Sequence, residues 1–239
     1  MLILRSMVFN VLLYVFTALC SVIAMFTVIV WPSRVWTVAR LWSLSWLYLY
    51  KLICGVSLNV QGSEHVPRGP CIVSMKHQST WDTFALFAIF RRPVFVVKSE
   101  LMWVPVFGWV LKRLGCVAVK RGNGRVALET MIRGARAACA LGNQIVIFPE
   151  GTRSAAGAPS DYKSGVSHLY KTLEVPCVPV GLNSGVLWPR RTLLRPPGVI
   201  TVDILPAIPP GMPRRQMFDR MTRDIETSSR RLSGNAIKQ

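Results

Sequence analysis

The sequence predicts an α/β domain with a largely parallel, mixed central sheet flanked by helices, preceded by N-terminal membrane helices. Three observations carry this reading. From Ser57 onward, short β-branched runs alternate with helical stretches. The runs are apolar throughout, as strands covered on both faces are. Before them, no charge falls between Arg5 and Arg34, a stretch long enough to cross a hydrocarbon core of about 30 Å.

Composition points the same way. The 239 residues are 51% hydrophobic and carry a formal net charge of +18. Apolar and strongly basic together suggest a membrane protein at an anionic surface, with anionic lipids as partners. Nucleic-acid binding is the competing reading of the charge. No recognition motif supports it, so no nucleic-acid partner is expected. A solvated basic surface without a partner is the plainest alternative. The six cysteines, Cys20, Cys54, Cys71, Cys116, Cys139 and Cys177, form no CxxC pair. They read as small buried hydrophobes in a reducing compartment, and no metal site is expected.

Taken in order, residues 1–56 form the anchor. A helix at about 7–31 is longer than the apolar core of a signal peptide and ends in Trp31-Pro32, so it reads as an uncleaved span. A second segment, about 35–54, carries Trp36, Trp42, Trp46, Tyr48 and Tyr50, interrupted by Arg40 and Lys51. Aromatic and basic side chains suit the membrane–water boundary, so this is an interfacial or partly embedded helix; a full span would hold Arg40 in lipid. The first acidic residue is Glu64, and most basic residues follow the anchor. The positive-inside rule then places the domain, 57–239, on the cytoplasmic side, in a bacterium at the inner membrane.

The strands are expected at "CIVSM" (71–75), "VFVV" (94–97), "CVAV" (116–119), "QIVIF" (144–148), "CVPVGL" (177–182) and "VITVDIL" (199–205). Helices are expected near 79–90, 102–113, 125–141, 165–173 and 214–232. The prolines of "VPCVPV" (175–180) suggest an edge strand or a shaped wall. "LPAIPPGMP" (205–213) is a loop before a polar terminal helix.

Three polar clusters each follow a β run. In "MKHQSTWDT" (75–83), His77 sits at a strand end, where open α/β sheets place functional groups. Ser79 or Thr80 is a candidate N-cap, and Asp82 falls in the first turn of the next helix. Five residues on one continuous helix would separate the two side chains by about 500°. With His77 before the helix, they can converge. Asp82 then fixes the imidazole tautomer and leaves one ring nitrogen as a base. The bland alternative is an N-cap cluster with a solvated histidine. In "FPEGTRS" (148–154), Gly151 permits close backbone approach, Thr152 donates, and Arg153 can fork onto a phosphate. Glu150 would hold Arg153 or accept a substrate hydroxyl. An ordinary polar turn is the alternative. In "GCVAVKRGN" (115–123), Arg121, with Lys120, is a second anion-binding candidate or a surface pair. No G-x-S-x-G elbow, P-loop or GxGxxG occurs, which argues against serine hydrolysis, nucleotide hydrolysis and NAD chemistry.

At these residues the chain resembles the lysophosphatidic acid acyltransferase (1-acylglycerol-3-phosphate O-acyltransferase) family. His77 and Asp82 look like its H-x4-D motif, and Gly115 to Arg121 resembles its second block. Phe148-Pro149-Glu150-Gly151-Thr152-Arg153 matches the third block, and Val175 to Val180 resembles the fourth. Many members have Asn where this chain has Lys76, and an aromatic where it has Ala118. The resemblance implies a glycerolipid acyltransferase-like domain. It implies transfer of an acyl group from acyl-CoA or acyl-carrier protein to the sn-2 hydroxyl of lysophosphatidate, giving phosphatidic acid. His77 and Asp82 would be catalytic. Arg121, Glu150, Gly151, Thr152 and Arg153 would line the substrate phosphate. No cofactor beyond the thioester co-substrate is expected. Rival readings are another acceptor, such as glycerol-3-phosphate or a lyso-aminolipid, and a non-catalytic lipid-binding protein.

Overall fold

The computed structural model describes residues 1–120 and 124–237. In chain order the elements are α1 (Leu2–Val30), α2 (Val35–Cys54), β1 (Val56–Gln61), β2 (Ile72–Met75), α3 (Trp81–Ile89), β3 (Pro93–Lys98), α4 (Phe107–Arg113), β4 (Val117–Val119), α5 (Gly124–Ala140), β5 (Gln144–Ile147), α6 (Gly165–Leu173), β6 (Cys177–Leu182), α7 (Ser184–Leu187), β7 (Gly198–Ile204) and α8 (Arg214–Ile237). The six strands expected from the sequence are present, and β1 joins them.

The sheet has the order β1-β7-β6-β2-β5-β3-β4. β2 pairs in parallel with β5 and β6, and β3 with β4 and β5. β7 meets β6 antiparallel, so β7 and its parallel partner β1 run the other way. The carboxyl ends of β2, β4, β5 and β6 therefore share one sheet edge, and β2 lies at the centre.

Strand alternation divides the core in two. Val73, Met75, Val146 and Val178 pack with residues of α2 and α3. Ile72, Ile145, Ile147 and Cys177 pack with Met131 of α5, Val166 and Leu169 of α6, and Met221 and Ile225 of α8. Side chains at successive positions point to opposite faces, so each strand serves both cores.

The "VPCVPV" segment departs from expectation. β6 is an interior strand between β7 and β2, not an edge. Proline is tolerated because its ring lies where pairing to β7 runs out. The Pro179 carbonyl still accepts from Leu205 N at 3.0 Å, and only the return donor is missing.

α1 and α2 form a hairpin. Phe9 near the start of α1 packs against Trp46 and Tyr50 near the end of α2, edge-on to the first and tilted to the second, at ring separations of 5.7 and 4.7 Å. The amino terminus and β1 therefore lie at the same end of the hairpin. α2 buries Val35, Ala39, Ser43, Trp46, Tyr50 and Cys54, one stripe at helical spacing. Trp46 and Tyr50, read from sequence as boundary aromatics, are core residues instead. Tyr50 also donates its hydroxyl to Leu187 O at 3.1 Å, so the domain supplies the partner that the interface would have offered. The beginning of α1 is tied in as well. Ser6 Oγ accepts from Arg195 N at 3.0 Å, and Asn10 Oδ1 from Arg195 Nη2 at 3.1 Å. Further along, Leu19, Val22, Ile23, Phe26 and Ile29 are exposed. α1 is the one helix among the described residues long and apolar enough to cross a membrane.

Candidate active site

The sheet edge brings the loops after β2, β5 and β6 together, and the fold closes them around one histidine. His77 Nδ1 and Asp82 Oδ2 lie 2.9 Å apart. Asp82 is fully buried, and its Oδ2 also accepts the backbone N–H groups of Gln78 and Ser79, each at 2.8 Å. Its other oxygen accepts from Ser184 Oγ, on α7 after β6. Backbone amides only donate, so the carboxylate is an acceptor and Nδ1 carries the imidazole proton. Nε2 is then the basic nitrogen. The His77 ring stacks on Phe148 with centroids 4.0 Å apart and planes at 20°, which fixes its face as Asp82 fixes its edge.

The local sequence explains the convergence. Ser79 Oγ accepts from Trp81 N at 3.1 Å, so α3 starts after only a short loop from the strand. Asp82 then falls in the first turn, where its carboxylate meets free amides and the positive end of the helix.

The loop after β5 grips His77 by its backbone. Glu150 Oε2 accepts from His77 N at 2.7 Å, and Ser154 N donates to His77 O at 2.8 Å. Glu150 is buried, and its Oε1 accepts from Ser154 Oγ and Ser160 Oγ, both at 2.7 Å. The sequence placed Glu150 at the substrate phosphate, holding Arg153 or accepting a substrate hydroxyl; in the fold its oxygens take donors from His77, Ser154 and Ser160. A buried carboxylate with donors on both oxygens repels an anion and serves as a clamp. Gly151 has φ +65°, the left-handed turn that lets this loop fold back.

Arg153 Nη1 donates to Thr80 Oγ1, next to Ser79 in the loop after β2, so this guanidinium stands beside the His77–Asp82 pair. Thr152 is exposed. Arg121 lies outside the described residues; β4, which precedes it, ends at Val119 on the same sheet edge. Sequence reasoning missed Arg190, whose Nη1 reaches Arg153 O at 3.4 Å. It also missed Ser184, although the polar step "NSG" directly after the apolar β6 run was a usable signal.

The other histidines are occupied elsewhere. His65 Nδ1 lies 2.8 Å from Ile204 O. His168 Nε2 lies 2.7 Å from Arg214 Nη2, and partial burial with the Arg214 charge lowers its basicity. Among the described residues, no group of three or more His, Cys, Asp or Glu side chains is placed to hold a metal ion.

A buried carboxylate, an imidazole oriented by it and a neighbouring guanidinium thus meet at one edge of the sheet. The chain belongs to the acyltransferase family, whose model matches residues 57–183; it is an O-acyltransferase. A Pseudomonas aeruginosa relative named 1-acyl-sn-glycerol-3-phosphate acyltransferase is 32% identical over 206 residues, 85% of this chain and 80% of that protein. A Saccharomyces cerevisiae protein of the same name is 32% identical over 148 residues, 61% of this chain and 48% of the relative. The crystal structure of the 1-acyl-sn-glycerophosphate (LPA) acyltransferase from Thermotoga maritima superposes with a TM-score of 0.75 at 20% identity, covering 97% of this chain and 95% of that one. That likeness establishes the fold.

Proposed function

We propose that this protein transfers a fatty acyl group from an acyl thioester to the sn-2 hydroxyl of 1-acyl-sn-glycerol-3-phosphate, giving phosphatidic acid for phospholipid synthesis. The observation that carries the reading is the His77 Nδ1–Asp82 Oδ2 contact at 2.9 Å, which leaves Nε2 as a base. The named relatives supply the acceptor.

In this reading the hydroxyl loses its proton to His77 Nε2 as its oxygen bonds to the thioester carbonyl carbon. The tetrahedral oxyanion collapses, the C–S bond breaks, and the leaving thiolate takes the proton back from the imidazolium. Asp82 stabilises that imidazolium. The thioester is already activated, so the step calls on no metal or organic cofactor. Arg153 beside Thr80 supports a phosphate-bearing acceptor, with Arg121 as a second cation. Donor identity, acyl-CoA or acyl-carrier protein, turns on surfaces away from this pair.

The hairpin supports a membrane site of action. Leu19, Val22, Ile23, Phe26 and Ile29 of α1 stay exposed among the described residues, and lipid is the environment that suits them. Both ends of the hairpin lie toward the domain, so it enters the bilayer from the domain's side. The basic excess supports the cytoplasmic face, with anionic lipids against it. Purified full-length protein should be assayed with lysophosphatidate, glycerol-3-phosphate and a lyso-aminolipid, each with acyl-CoA and acyl-carrier protein. Lysophosphatidate should be preferred by at least about tenfold in kcat/KM. Equal use of the lyso-aminolipid overturns the acceptor assignment.

A further inference from the structure

The residue before His77 is a lysine, and it is buried, at 2% exposure. Its position follows from the pleat. Lys76 continues the row Ile72–Ser74 toward α5, α6 and α8, whereas His77 continues Val73–Met75 toward α3. Lys76 Nζ lies 3.2 Å from Glu150 Oε1 and donates to Ser160 Oγ and to Glu226 Oε1 of α8. It sits 5.6 Å from the Tyr162 ring centroid. The Tyr162 hydroxyl donates to the same Glu226 oxygen at 2.8 Å, and Arg230, largely exposed, reaches the other at 3.7 Å.

One ammonium thus meets two carboxylates, one from the loop after β5 and one from the last helix. A buried charge persists only when paired and hydrogen-bonded. Burial pushes the Glu226 carboxyl up, but hydrogen bonds from Lys76 and Tyr162 outweigh it and leave the group below its usual range. Glu150 is the branch point. One oxygen faces Lys76, and the other holds the His77 backbone N–H. The chain Glu226–Lys76–Glu150–His77 therefore joins the last helix to the base.

We propose that Lys76 and Glu226 form a positioning pair that docks α8 against the loop after β2 and holds Glu150 on the His77 backbone. The inference rests on the reading of His77 as the general base. Without the ammonium, Glu150 and Glu226 repel each other in a dry space, and Glu150 turns away from His77. Without the Glu226 charge, Lys76 has Glu150 as its remaining carboxylate and pulls it inward. Neutralising both keeps the volume filled and leaves no excess charge beyond Glu150.

The test is a double-mutant cycle on full-length protein in membranes. It compares Lys76→Met, Glu226→Gln and the combined variant, with kcat, acceptor KM and thermal unfolding read for each. Each single variant should lose about tenfold or more in kcat with KM within about twofold, and the double should lose far less than the product of the singles. A purely structural role predicts a lower Tm with wild-type kcat per folded enzyme, and that result overturns the proposal. So do losses that multiply. Should Lys76→Met fail to fold, Glu226→Gln and Tyr162→Phe decide the matter. Both should lower kcat at constant KM, and wild-type kcat in both sinks the idea. His77→Ala is the control arm. Full turnover there refutes the base reading itself, whereas an inactive His77→Ala beside normal Lys76 and Glu226 variants refutes only the positioning pair.

Discussion

The His77 backbone N–H donates to Glu150 Oε2 at 2.7 Å, joining two motifs that stand 73 residues apart. Glu150 belongs to the loop that also carries Arg153, yet it is buried and its oxygens take donors from His77, Ser154 and Ser160. Loss of the clamp should therefore act on turnover. Glu150→Gln places an amide where the Ser154, Ser160 and Lys76 donors expect an acceptor. A mispaired buried group costs about 1–3 kcal/mol, so kcat should fall by about 5- to 100-fold, with acceptor KM little changed. A rise in KM for phosphate-bearing acceptors at constant kcat returns Glu150 to the phosphate site.

His77→Ala should lower kcat by about 10²-fold or more. Asp82→Asn should do comparable damage, since its amide nitrogen meets the Gln78 and Ser79 amides or the His77 proton. The two losses should not multiply. Ser184→Ala removes one of four donors to Asp82 and should cost several-fold in kcat, about 1 kcal/mol. Matched membrane preparations of these variants, with His168→Ala as reference, provide the measurement. If His168→Ala is the inactive one, the site is misplaced.

Arg153→Ala should raise the KM for lysophosphatidate by about 10- to 100-fold, because a charge-assisted contact contributes about 1.5–3 kcal/mol. Steady-state kinetics against an acceptor lacking the phosphate separates this from damage to Thr80. An equal loss with both acceptors points to the loop instead.

Glu226 has a depressed folded-state pKa, so its contribution to stability is present above the ordinary carboxylate range and lost as pH falls through the depressed value. Thermal unfolding in detergent between about pH 6 and pH 3 should show Tm declining with acid. Glu226→Gln should have the shallower slope. Parallel curves for the two proteins contradict a paired Glu226.

Washing membranes with 1 M salt should leave the full-length protein in the pellet, since an apolar hairpin does not respond to screening. Release under those conditions reduces the association to charge alone.

The six expected strands were legible because a buried parallel strand is apolar on both faces and stands out between polar turns. H-x4-D and FPEGTRS were legible because each follows such a run, where parallel sheets gather their loops. β1 was not, since "VSLNVQ" mixes polar and apolar residues at the sheet margin. Nor were the partners that complete the site. Ser184 meets Asp82 across 102 residues, and Glu226 meets Lys76 across 150. No local pattern encodes such a pairing, because strand order and register, not spacing along the chain, decide which loops touch. The same reason reassigned Trp46 and Tyr50. Their chemistry suits a membrane boundary and a core equally, and only the packing of Phe9 and Trp188 against them placed them in the core. The residue types and their order along the chain thus specified a histidine, a carboxylate and a cation, and the sheet brought them, with Glu150 on the His77 backbone, to one edge.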